Sequence, residues 1–175
     1  SQQAYIKPSA NGNGDYFGNS VDISGDTIVA SDRWEDSGAQ SVTNGVAPSD
    51  NTRSDSGAVY VFKRTGNTWA HQSHLKPSNA HIGDEFGSDV AISGDTIVAS
   101  AYYENSNYTG VFNGGASSDL SLINSGAAYV YTRTGNNWSQ QAYLKPANPL
   151  VNGYFGSAVA ISGDLISVGS VTDKS

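Results

Sequence analysis

The chain has no cysteine and no methionine, which excludes disulfide frameworks, thiol catalysis and thiolate metal sites. Only 14% of its 175 residues are charged, and no window keeps a helical hydrophobic period. No apolar run approaches the roughly 18 residues of a membrane-spanning helix, and the start lacks a signal-peptide pattern. Nine Lys and Arg stand against 16 Asp and Glu, a formal charge of −7 with pI near 4.6, so the clustered cations that nucleic acid or an anionic membrane requires are missing. Catalytic sets are missing too. His71 and His74, three apart on an expected strand, should point to opposite faces and so be unable to chelate one metal. His81 stands alone in a loop, no Ser-His-Asp order or phosphate loop appears, and scattered carboxylates do not make a hydrolase. An enzyme is not expected.

What is present is a repeat. With 37% hydrophobic and 10% aromatic residues the chain can bury a core, and its 20 glycines favour short strands and turns. The stretch 17–31, Phe-Gly-Asn-Ser-Val-Asp-Ile-Ser-Gly-Asp-Thr-Ile-Val-Ala-Ser, returns at 86–100 and more loosely at 155–169, an interval of 69 residues each time. It contributes two strands joined by a Ser-Gly-Asp turn (24–26, 93–95, 162–164), where Asp26, Asp95 and Asp164 are turn formers. A third strand follows at 57–62 and 126–131, and Arg-Thr-Gly-Asn-x-Trp (64–69, 133–138) turns it into a fourth that closes on Lys-Pro at 76–77 and 145–146. Segment 1–8 has the same form and reads as another fourth strand.

The third strand is apolar on both faces, so its sheet must be covered on both sides. Four short antiparallel strands per repeat, each sheet covered by its neighbours, describe the blades of a β-propeller. The fold class is all-β, built of 69-residue tandem repeats amounting to about two and a half blades. Residues 1–8 are the fourth strand of a preceding blade, 9–77 and 78–146 are blades with their leading loops, and 147–175 are a leading loop and the first half of a further blade.

Phe-Gly, Val-x-Ile, Ile-Val-Ala-Ser and Ser-Gly-Ala-x-Tyr-Val, in register along nearly the whole chain, resemble the FG-GAP repeat of integrin α-subunit propellers and many bacterial surface proteins. The resemblance implies a cell-surface or extracellular binding and adhesion module, with ligands taken on the face that carries the longer loops. The calcium loop that integrin-type blades often place in the first hairpin is shortened here to Ser-Gly-Asp, so that site is not carried over. Two and a half blades cannot close a ring of 4 to 8. Together with Ser1 at the start, this suggests a piece of a longer chain or a subunit completed by neighbouring copies. End-to-end assembly into a fibre or surface layer is the alternative function.

The loops at 32–56 and 101–125, with those at 9–16, 78–85 and 147–154, should share one face. The two long ones keep register, since Val42, Asn44-Gly45, Ala47 and Ser49-Asp50 are echoed by Val111, Asn113-Gly114, Ala116 and Ser118-Asp119, which points to function or local packing. Candidate ligand-binding residues are Trp34, Glu35, Asp36, Tyr102, Tyr103 and Glu104, whose aromatics can stack on a sugar or anchor a protein. Asp50 and Asp119 are the candidate ligands for Ca²⁺ at sites outside the family's usual one. Trp69 and Trp138 belong in the blade core. Asn107-Tyr108-Thr109 and Asn137-Trp138-Ser139 match the N-glycosylation pattern. A protein or carbohydrate ligand and further blades are the expected partners, with no nucleic acid and no membrane span.

Overall fold

The computed structural model describes residues 2–8, 10, 12 and 14–172. The first sheet is built from β1 (Phe17–Ser24), β2 (Thr27–Asp32), β3 (Thr43–Asn44), β4 (Ala58–Thr65) and β5 (Thr68–Leu75), antiparallel throughout in the order β1-β2-β4-β5-β3. The second repeats it with β6 (Val90–Ser93), β7 (Thr96–Ala101), β8 (Val111–Asn113), β9 (Ala127–Thr134) and β10 (Asn137–Leu144), in the order β6-β7-β9-β10-β8. A last hairpin, β11 (Val159–Ser162) with β12 (Leu165–Val168), opens a third blade.

Two points go beyond or against the sequence expectations. First, each complete blade has the four expected antiparallel strands and gains a short fifth at its outer edge. The long loop doubles back and lays β3 or β8 along the outer edge of β5 or β10, and the echoed Val-x-Asn-Gly is the pattern of that edge strand. Second, His71 and His74 share a face. Gln72 is bulged out of the β4–β5 ladder, so His71 pairs with Phe62 and His74 with Tyr60, and both rings pack on Tyr60. One extra residue inverts the alternation on which the opposite-face reading rested. The carbonyl of Gln72 accepts a hydrogen bond from Gly45 N (2.9 Å), as Gln141 O does from Gly114 N (2.7 Å), so bulge and edge strand are locked together.

Segment 1–8 reads from the sequence as the fourth strand of a preceding blade. Ser1 lies outside the described residues, as do Ser9, Asn11 and Asn13 of the 9–16 loop, and residues 2–8 join no ladder. Within residues 1–175 no copy of β4 precedes them to pair with. Ile6 nevertheless packs on the first blade beside Ala10, Phe17 and Trp69.

Both faces of β4 and β9 are buried over their first five residues. Val59 and Val61 meet Val90, Ile92, Tyr129, Tyr131, Trp138 and Tyr143 of the next blade, whereas Ala58, Tyr60 and Phe62 face the other way. Adjacent blades converge along β1, β6 and β11. These innermost strands have no further strand on that side, and their exposed N–H groups would be unpaired. Side chains of the preceding blade accept them instead. Ser20 Oγ takes Val90 N (3.2 Å), Asp22 Oδ2 takes Ile92 N (2.8 Å), and Asp89 Oδ2 takes Val159 N (2.8 Å).

Candidate functional site

Where β1 begins and β2 ends, each blade presents aromatic side chains. Tyr16 and Trp34 lie with ring centroids 4.3 Å apart, and the Arg33 guanidinium sits 5.7 and 5.2 Å from their centroids. One blade on, Tyr102 and Tyr103 are again 4.3 Å apart, with Tyr154 at 6.2 and 5.7 Å. Arg33 bridges the two groups, its Nη1 donating to Tyr102 OH (3.3 Å) and lying 3.6 Å from Glu85 Oε2. The result is a row of aromatics crossing three blades. Tyr16 is 51% exposed and the other four rings are partly exposed. Tyr102, Tyr103, Tyr154, Ser157 and Val171 line a cavity of about 400 Å³, within the range of small-ligand sites.

Trp34, Tyr102 and Tyr103 are therefore brought together, with Tyr16, Arg33, Glu85 and Tyr154 added to them. The sequence carried a signal for three of the four additions, because 16, 85 and 154 immediately precede the three Phe-Gly pairs. Glu35 and Glu104 are corrections. They are 4% and 1% exposed and so are withheld from any surface ligand. Lys76 Nζ donates to Glu35 Oε2 (2.8 Å) and Ser56 Oγ (2.6 Å), and Lys145 Nζ to Glu104 Oε2 (2.7 Å) and Ser125 Oγ (2.6 Å). The lysines of the Lys-Pro pairs at 76–77 and 145–146 are thus interior cations, and charges this deep require partners.

Asp36 and Asp50 act within the first long loop. Asp36 Oδ1 accepts Asp55 N (2.8 Å), and Asp50 Oδ1 accepts Gly38 N (2.8 Å) and Thr52 Oγ1 (2.5 Å). Asp119 repeats the second device with Asn107 N (2.7 Å) and Ser121 Oγ (2.8 Å). These carboxylates staple loop backbone. Among the described residues no group of three His, Asp or Glu side chains is placed to hold a metal ion. Trp138 is buried in the core between blades and Trp69 packs against the first blade. Asp26 and Asp95 hold their hairpins to the next strand through Arg64 and Arg133.

An FG-GAP repeat model matches residues 1–62, 69–131 and 138–175. The chain belongs to the FG-GAP repeat family. No curated protein matches it. The first two matched units run from segment 1–8 or from β5 into β4 or β9 of the following blade, and the third runs from β10 through the hairpin of β11 and β12, so the FG-GAP unit straddles the seam between blades. Its signature residues meet at that seam. Phe86 N donates to Ser56 O and Phe155 N to Ser125 O, both at 3.0 Å. Gly57 and Gly126 follow those serines at φ 77 and 80, and a Cβ on either would lie 2.1 or 2.2 Å from the carbonyl oxygen of Phe86 or Phe155. The glycine of Ser-Gly-Ala thus admits the phenylalanine backbone of the next FG-GAP copy.

Two buried carboxylates in this FG-GAP face set its response to pH. Burial pushes Asp32 and Asp84 up from 3.8 to about 7, with the nearby Asp15 adding to the first and Glu104 to the second. Asp32 Oδ2 and Asp84 Oδ1 have no hydrogen-bond partner. Glu35 moves the other way. Burial opposes its charge, but His74 and Lys76 outweigh burial and hold it at about 2, below its ordinary 4.5. A raised carboxylate binds more protons folded than unfolded, so its contribution is full below pH 3.8 and is lost as pH rises through 7; the Glu35 contribution is lost as pH falls from 4.5 toward 2. The urea midpoint should peak near pH 4 and fall by pH 8.5, and Asp84→Asn should flatten the alkaline limb. A midpoint constant between pH 5 and 8.5 would contradict this.

Proposed function

We propose that this FG-GAP chain is part of an extracellular or cell-surface propeller that binds a glycan or protein ligand, without catalysis, on the face that carries the aromatic row. The observation that carries the reading is the recurrence of half-exposed rings at the same inner-strand ends, Tyr16 with Trp34 and then Tyr102 with Tyr103 and Tyr154. Aromatic faces of this kind stack on the apolar face of a sugar ring or fill the centre of a protein interface. Arg33 and Glu85 supply polar groups beside them.

Trp34→Ala with Tyr102→Ala and Tyr103→Ala is expected to reduce binding at least tenfold on a glycan array or in a surface-adhesion assay, since loss of aromatic anchors costs about 2 kcal/mol or more. The long loops should matter only through these positions. Binding that survives the triple substitution in a folded protein would move the ligand away from this face.

A further inference from the structure

The second blade buries an amine, a carboxamide and a carboxylate together. Lys145, Asn79 and Glu104 are 5%, 4% and 1% exposed. Lys145 Nζ donates to Glu104 Oε2 (2.7 Å), and Asn79 Nδ2 donates to Glu104 Oε1 (3.3 Å). Both nitrogens thus hang on one carboxylate. Tyr129 OH donates to Asn79 Oδ1 (2.9 Å), Tyr143 OH donates to Glu104 Oε1 (2.9 Å), and the remaining amide hydrogen of Asn79 goes to Ser117 O (2.6 Å). Tyr129 and Tyr143 are fully buried, as is the adjacent Phe86.

We propose that this cluster is a self-modification site, at which Lys145 and Asn79 join in an amide bond that ties the loop leading into the second blade to the end of its β10 strand. Glu104 touches both nitrogens and Tyr129 touches the amide oxygen, while Nζ gives up its hydrogen bonds to Ser125 Oγ (2.6 Å) and Gly126 O (2.7 Å) to reach Asn79. Passing one proton from Nζ to Glu104 turns the ion pair into an amine and a carboxylic acid, a change that removal from water favours; burial already pulls the Lys145 ammonium below its ordinary value, against the opposing pull of Glu104. The Nζ lone pair then attacks Cγ of Asn79, and the carbonyl electron pair moves onto Oδ1, where the Tyr129 hydroxyl meets the developing charge. Glu104 gives its proton to Nδ2 and takes the second proton from Nζ, ending as the carboxylic acid. The Cγ–Nδ2 bond breaks, ammonia leaves, and the carbonyl re-forms as an Nζ–Cγ amide. No oxidant, reductant or second reactant enters.

The first blade is an internal control. Lys76 and Glu35 repeat the amine and the carboxylate, but Ala10 occupies the place of Asn79 and gives only its backbone oxygen to Tyr60 (3.2 Å). Among the described residues, no carboxamide takes that place beside Lys76.

Intact-mass measurement of the purified chain should give a value one ammonia lower, about 17 Da. Because a succinimide at an Asn-Gly pair has the same mass, a proteolytic digest must also yield one branched peptide joining residues 79 and 145, with Lys76 unmodified. Asn79→Ala and Glu104→Gln should each restore the full mass, the second while keeping a hydrogen-bonding side chain in place. Wild-type protein at full mass after days at 37 °C, or a lighter mass with no branched peptide, would overturn the proposal, and neither result depends on a variant folding.

Discussion

Replacing Gly57 with alanine is expected to open the seam between the first two blades and to lower stability by about 3–5 kcal/mol. The new Cβ would lie 2.1 Å from Phe86 O, 2.5 Å from Phe86 N and 2.8 Å from Phe86 C, all backbone atoms, at a φ of 77 that L side chains rarely adopt. Neither a rotamer change nor a flexible neighbour can relieve such a contact. The two sheets must separate, which strains the hydrogen bond from Phe86 N to Ser56 O and loosens the packing of Val59 and Val61 on the second blade. Gly25→Ala is the matched control, because Gly25 also has a positive φ (56) but nothing within 4 Å of its added carbon. It should cost about 1–2 kcal/mol, the conformational part alone. Urea unfolding of the two variants reads the difference, and equal losses would mean that the seam is not as tight as this geometry requires.

Lys76→Met should cost about 3–5 kcal/mol, the range for breaking a buried ion pair by removing one partner. Methionine fills much of the same volume, so the loss comes from charge. Glu35 would stay 4% exposed with only His74, 3.6 Å from its Oε1, to answer it, and Ser56 Oγ would lose its donor. The carboxylate should then titrate upward, and the variant should recover part of its stability as pH falls toward 5. Adding Glu35→Gln should restore most of the deficit by removing the orphaned charge. For a domain of this size the single substitution corresponds to a fall of roughly 10 °C in Tm. A loss under about 1 kcal/mol would place the pair among exposed salt bridges, at odds with its burial.

How far the sequence could be read depended on whether a signal was local. The Phe-Gly interval, the Ser-Gly-Asp turns and the Gly-Asn hairpins each act over a few residues, and all emerged where their chemistry placed them. The aromatic row was half legible. Trp34, Tyr102 and Tyr103 stood out at strand ends, but Tyr16 and Tyr154 show their role only once the start of one strand is set beside the end of its neighbour. Glu35 and Glu104 misled because acidic residues in a long loop ordinarily face water, and nothing near them in the chain announces a lysine 41 residues later.

The sequence by itself determined the repeat, the all-β blades and the exclusion of thiol and disulfide chemistry, because turn preference and alternation are properties of adjacent residues. The tertiary structure alone decided which charges lie inside, which face His71 and His74 share, and that the long loops supply a fifth strand. Burial and pairing belong to contacts between segments far apart in the chain, and a single bulged residue such as Gln72 reverses every side chain beyond it.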